Sequence, residues 1–120
     1  MEKVNMHDLR VRVQQVELLA HDLGLLQGGE WVDGIPEHLA DSHYRFPHLW
    51  LDQGSATYGR AWRLHAVGGQ KYQTGHHDVF HMGSGYLGWT KAEAFQTLRG
   101  LEAGLREAFH VAQLKQGVTV

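Results

Sequence analysis

The feature that most constrains this chain is its last long segment, Gly83 to Lys115, a glycine-bearing entry followed by a helix. The helix start is signalled repeatedly. Thr90 suits the N-cap, Glu93 three residues on completes a capping box, and Trp89 before the cap can staple onto Ala94. Behind that start runs an apolar stripe of Ala94, Leu98, Leu101, Leu105, Ala108 and Ala112, spaced by four and three residues, and Phe95 and Phe109 widen it to a face. Such a face must lie on a sheet or on another helix. Gly100 and Gly104 each cost the helix about 1 kcal/mol relative to alanine. Their spacing, continued by Ala108 and Ala112, predicts a flat side where another backbone comes close.

A second amphipathic helix is expected over Leu9 to Leu26, where Leu9, Val13, Val16, Ala20 and Leu23 repeat the same steps. Asn5 or Asp8 would open it, and Gly28-Gly29 would close it. A strand reading competes, from the alternation of Leu9, Val11 and Val13 with Arg10, Arg12 and Gln14. It fails beyond Gln15, where Leu18 and Leu19 break the period of two. Gln27 to Ser42 reads as a loop punctuated by Gly28-Gly29, Asp33-Gly34 and Pro36, with one short helical turn after Pro36 and with Trp31 and Ile35 packing it down. Three strands should follow. They are His43 to Asp52, with Pro47 marking an edge or a bulge, then Thr57 to Val67 and Gln70 to Met82. Gly68-Gly69 signals a two-residue hairpin between the last two. The expected fold is therefore α+β: an N-terminal helix, a three-stranded antiparallel sheet, and a long C-terminal helix packed on one sheet face.

A chain of 120 residues is expected to form one domain with its own core. Eleven Lys and Arg against 13 Asp and Glu leave a formal charge of −2, which argues against strong non-specific nucleic-acid binding. The absence of cysteine excludes disulfides and thiolate metal sites. Met1 to Leu9 is polar and no apolar run reaches membrane-spanning length, so a cytoplasmic protein without membrane contact is expected. Ten histidines make the charge unusually sensitive to pH between about 5 and 7.

If Val67 pairs with Gln70, the hairpin register fixes two faces. One carries Tyr58, Arg60, Trp62 and Leu64 opposite Val79, His77, Gly75 and Gln73, and is the candidate for burial. The other gathers Arg63, His65, Tyr72, His76 and Asp78 as an exposed surface. That surface suits a partner. Alternatively, His65, His76 and Asp78 supply two imidazoles and a carboxylate, a set able to hold a transition metal or to work as acid, base and orienting group. Gly83, Gly85 and Gly88 precede a helix as phosphate loops do, but their spacing fits neither common phosphate fingerprint, and they read as turn glycines.

Three resemblances add to this. The order α-β-β-β-α, with Gly83-Ser84-Gly85 and Thr90-Lys91 before Ala94, resembles the double-stranded RNA-binding domain. It implies a phosphate contact for Lys91, with Ala92 and Phe95 standing where that family has its other lysines. Three strands before a helix opening in Thr-Lys-Ala-Glu-Ala also look like the arm-binding domain of tyrosine integrases, which would give Arg60, Arg63 and Lys71 a role on DNA. Trp62-Arg63-Leu64 and the run Leu98-Arg99-Gly100-Leu101-Glu102-Ala103-Gly104-Leu105 are similar to small accessory proteins of tailed bacteriophages. The expectation is thus a phage- or mobile-element-encoded binding module without a cofactor. Its partner would be a host protein or a nucleic acid, met through Arg63, His65, Tyr72, His76, Asp78, Arg60 and Lys91 and through the loop Gly28 to Ser42. A metal-assisted hydrolase built on His65, His76 and Asp78, and a structural protein that dimerises through its last helix, are the alternatives.

Overall fold

Two helices far apart in sequence meet over one face of a three-stranded antiparallel sheet, as the α+β reading expects. The computed structural model describes residues 3–29, 45–53, 60–73, 77, 79 and 85–117. The elements are α1 (Met6–Asp22), β1 (His48–Gln53), β2 (Trp62–Val67), a single helical turn α2 (Gly69–Tyr72), β3 (Tyr86–Gly88) and α3 (Lys91–Gly117). The strands lie in the order β1-β2-β3. The expected turn after Pro36, the packing of Trp31 and Ile35, and the positions of Tyr58 and Gly75 fall outside the described residues.

Asn5 opens α1. Its side chain accepts from the Asp8 N–H at 2.9 Å, and Asp8 accepts from the Asn5 N–H at 3.0 Å, a reciprocal box that satisfies two otherwise orphaned donors. Leu9, Val13, Val16, Leu19 and Ala20 form the buried face, which settles this segment as helix rather than strand. The helix ends earlier than Gly28-Gly29. Gly24 takes φ +72°, which lets its N–H reach the His21 carbonyl at 3.0 Å and the Leu25 N–H reach that of Ala20 at 2.8 Å. This Schellman closure ends the helix at the first glycine able to adopt the left-handed conformation.

The expected hairpin does not form. The residues after Gly68 turn into α2, with the Gln73 N–H on the Gly69 carbonyl at 3.0 Å, so Gln70 to Tyr72 is helical turn rather than strand. Tyr72 is consequently buried in the core at 6% exposure, where the exposed-face reading had placed it outside. β2 instead pairs with Tyr86–Gly88, and the Ala66–His77 bridge is all the described pairing that the stretch Gln70 to Met82 retains. β1 and β2 also begin later than expected, at His48 directly after Pro47 and at Trp62.

The core lies between the sheet and the helices. Leu49, Trp62, Leu64 and Ala66 face Leu9, Val13, Val16, Ala94 and Leu98, with Tyr72, Val79 and Leu87 closing it. Thr90 caps α3 by accepting from the Glu93 N–H at 3.1 Å, and its hydroxyl donates to the Glu93 carboxylate at 3.2 Å. Trp89 is exposed and stands edge-on to Tyr86, with ring centroids 6.2 Å apart. Along α3, Ala94 and Leu98 are fully buried and Leu101 and Leu105 partly so; beyond them the stripe loses cover, with Ala108 exposed, Phe109 and Ala112 half-buried, and the neighbouring Val111 and Leu114 exposed. Gly100 and Gly104 are exposed too, and a Cβ at either would meet nothing within 4 Å. Among the described residues the expected close approach of another backbone there is not made. The small residues simply face outward.

Glu102 ties the helices together. It is buried at 8% exposure, and it accepts from Arg12 of α1 at 2.6 Å and from Arg106 one turn further along α3 at 2.7 Å.

Candidate functional site

Strand alternation divides the sheet cleanly. In β1, Leu49 and Leu51 turn inward opposite Ala66 and Leu64, and Trp50 and Asp52 turn outward opposite His65 and Arg63. On the other side of β2, Arg63 faces Tyr86. The outward face therefore brings together Trp50, Asp52, Arg63, His65 and Tyr86, with Trp89 at its rim. Trp50 is 39%, Tyr86 42% and Trp89 57% exposed, and Arg63 and His65 are half-buried between them. His65 Nε2 lies 3.8 Å from the Asp52 carboxylate, an ion pair only when the imidazole is protonated.

β3 holds its place through close backbone approach. The Leu64 N–H donates to the Gly85 carbonyl at 2.8 Å, and a Cβ on Gly85 would run into the Leu64 carbonyl, so only glycine brings the strands this near. Thr97 of α3 donates to the Leu87 carbonyl at 2.6 Å and fixes β3 against the helix. Gly85 is thus a packing glycine, in keeping with the turn reading. Gly83 lies outside the described residues.

Of the residues expected on this face, Arg63 and His65 are there. Tyr72 is not: it lies in the core, with Lys71 Nζ 5.4 Å from its ring centroid and the His77 ring 5.5 Å away. Arg60 precedes β2 and is exposed, and its carbonyl accepts from the Gln53 side chain at 3.2 Å. Lys91 is exposed at the start of α3. His76 and Asp78 lie outside the described residues, and among the described residues no three His, Cys, Asp or Glu gather closely enough to hold a metal ion. Trp50, Asp52 and Tyr86 were missed. The alternation of His48-Leu49-Trp50-Leu51-Asp52 carries the signal for the first two, whereas Tyr86 was hidden in a stretch that its glycines mark as turn. Aromatic and guanidinium groups on a rigid sheet make an adhesive surface, since they bury large areas at low entropic cost.

No helix among the described residues is long and apolar enough to cross a membrane. No protein-family model, curated protein or solved structure matches this chain.

Proposed function

We propose that this chain is a non-enzymatic binding module that recognises a protein through the outward face of its sheet. The observation that carries the reading is the placement of two exposed aromatic side chains on the outer strands, Trp50 opposite His65 and Tyr86 opposite Arg63. Tryptophan, tyrosine and arginine are the residue types that anchor protein interfaces. A protein partner fits better than a nucleic acid, because the formal charge is −2 and Asp52 sits beside Arg63 in the same row. The resemblance of Trp62-Arg63-Leu64 and the Leu98–Leu105 run to phage accessory proteins supports a mobile-element source, with a host protein as the target.

A photo-reactive phenylalanine analogue in place of Tyr86 tests this. Protein adducts from the cell of origin are expected at that position. Trp50→Ala and Arg63→Ala should each weaken the captured complex by more than about 1 kcal/mol, with thermal unfolding recorded alongside to separate binding from folding. Mobility shifts with duplex DNA and duplex RNA should stay flat even at low salt. A salt-dependent shift would replace the protein partner with a nucleic acid.

A further inference from the structure

We infer that the outer edge of β1, which no other strand pairs among the described residues, takes an extended, acidic segment of the partner as an added strand, seated between β1 and α1. This rests on the protein-binding reading above and names the form the partner takes. Three observations on different elements agree. The Ala66 N–H and carbonyl both turn toward His77 (2.9 and 3.0 Å), and the Leu64 N–H turns toward Gly85 (2.8 Å), so these residues point their ladder groups away from β1. Their register partners Leu49 and Leu51 must then point theirs away from β2, by the alternation of an antiparallel pair. Leu49 confirms this, since its N–H leaves the sheet and is taken by the Glu17 carboxylate of α1 at 2.7 Å. Among the described residues no such acceptor meets Leu51.

Beside that edge runs a groove of about 310 Å³, lined by Met6, Arg10 and Val13 of α1 and by Leu49 and Leu51, with Glu17 at one end. It offers apolar walls for every second side chain of a strand and, at Leu51, outward main-chain groups that have no partner among the described residues, the two requirements of strand addition. Charge selects the occupant. Arg10 has no ion-pair partner among the described residues, and it stands seven residues, about 10 Å, from Glu17 along the helix. An acidic side chain is therefore favoured at the Arg10 end and disfavoured at the Glu17 end. Trp50, which also borders the groove, joins it to the outward sheet face.

A synthetic library of random eight-residue peptides, presented to the full chain, tests the inference. Retained peptides should alternate apolar residues and be enriched in Asp or Glu. Saturation with a selected peptide should slow amide hydrogen exchange at Leu51 by about tenfold or more, with little change at Trp50, whose N–H faces β2. Arg10→Glu should weaken binding by about tenfold or more. Leu51→Pro should abolish it; an outward N–H lets proline stand at this edge position, and thermal unfolding recorded alongside separates lost binding from the packing that the Leu51 side chain gives up. Selection without acidic bias, unchanged exchange at Leu51, or equal affinity in Arg10→Glu would each overturn the inference. So would a concentration-dependent dimer that Leu51→Pro dissociates, which would assign the edge to a second copy of the chain. Adducts at Tyr86 without protection at Leu51 would sink strand addition alone. Protection at Leu51 without adducts at Tyr86 would sink the sheet-face reading alone.

Discussion

The two halves of α3 carry the same four-and-three periodicity and are covered unequally. From Lys91 to Leu105 the stripe meets α1 and the sheet, with Ala94 and Leu98 at 0% exposure. From Arg106 to Gln116 the cover thins: Ala108 is exposed, Phe109 and Ala112 are only half-buried, and Val111 and Leu114 beside them stand out at 41% and 55%. The difference teaches that periodicity fixes which side of a helix is apolar, whereas the length of the neighbouring elements fixes how much of that side is covered. Here α1 has 17 residues and α3 has 27, about 40 Å, so the shorter helix cannot cover the longer one along its whole length.

Substitutions along α3 probe this contrast directly. The largest effect should come from Leu98→Ala, which removes a fully buried side chain and should cost about 2–5 kcal/mol in urea unfolding. A cost below about 1 kcal/mol would mean that the packed half is no better supported than the free one. Glu102→Ala should come next, at about 1–3 kcal/mol, because it leaves the Arg12 guanidinium without its carboxylate where α3 is last tied to α1. The figure stays below that of a fully buried pair, since the Arg12 side chain is 28% and that of Arg106 60% exposed. Arg106→Ala alone should cost no more than about 0.5 kcal/mol. Gly100→Ala and Gly104→Ala run the other way. With open space at both positions, each should stabilise by about 0.5–1 kcal/mol, visible as a raised melting temperature. A loss at either site would reveal a packed backbone after all. The smallest change should be Leu114→Ala, within about 0.5 kcal/mol of the parent. A larger effect, or one that grows with protein concentration, would show that the free half is covered by a second chain.

What could be read from the sequence were the features decided within a few residues. The Thr90 cap, the stripe through Leu98 and the inward turn of Trp62 and Leu64 depend on local spacing and survive in the fold. So does the outward turn of Arg63 and His65. The hairpin at Gly68-Gly69 did not survive, because its turn chemistry competes with non-local terms. Burying Tyr72 and pairing β2 with Tyr86–Gly88 draw on the whole core, and a glycine pair serves a helical turn as readily as a reverse turn. The loss of the hairpin carried half of the candidate site with it. Trp50, Asp52 and Tyr86 become neighbours of Arg63 only once the strand order is known, and no spacing in the chain encodes that order.

The Arg12–Glu102 pair spans 90 residues of chain, and its consequence is temporal. A nascent polypeptide emerges at roughly 5–20 residues per second, N-terminal end first. Leu9, Val13 and Val16 must therefore wait several seconds for Leu98 and Glu102 to clear the ribosome before α3 can complete the cover that the sheet begins. β2 waits in the same way for Tyr86–Gly88. During that interval the chain exposes part of an apolar helix face and an unpaired strand edge, the surfaces that chaperones bind. Folding of the complete chain has to close the same long loop before α1 and α3 can dock, which places their contact late in the sequence of events.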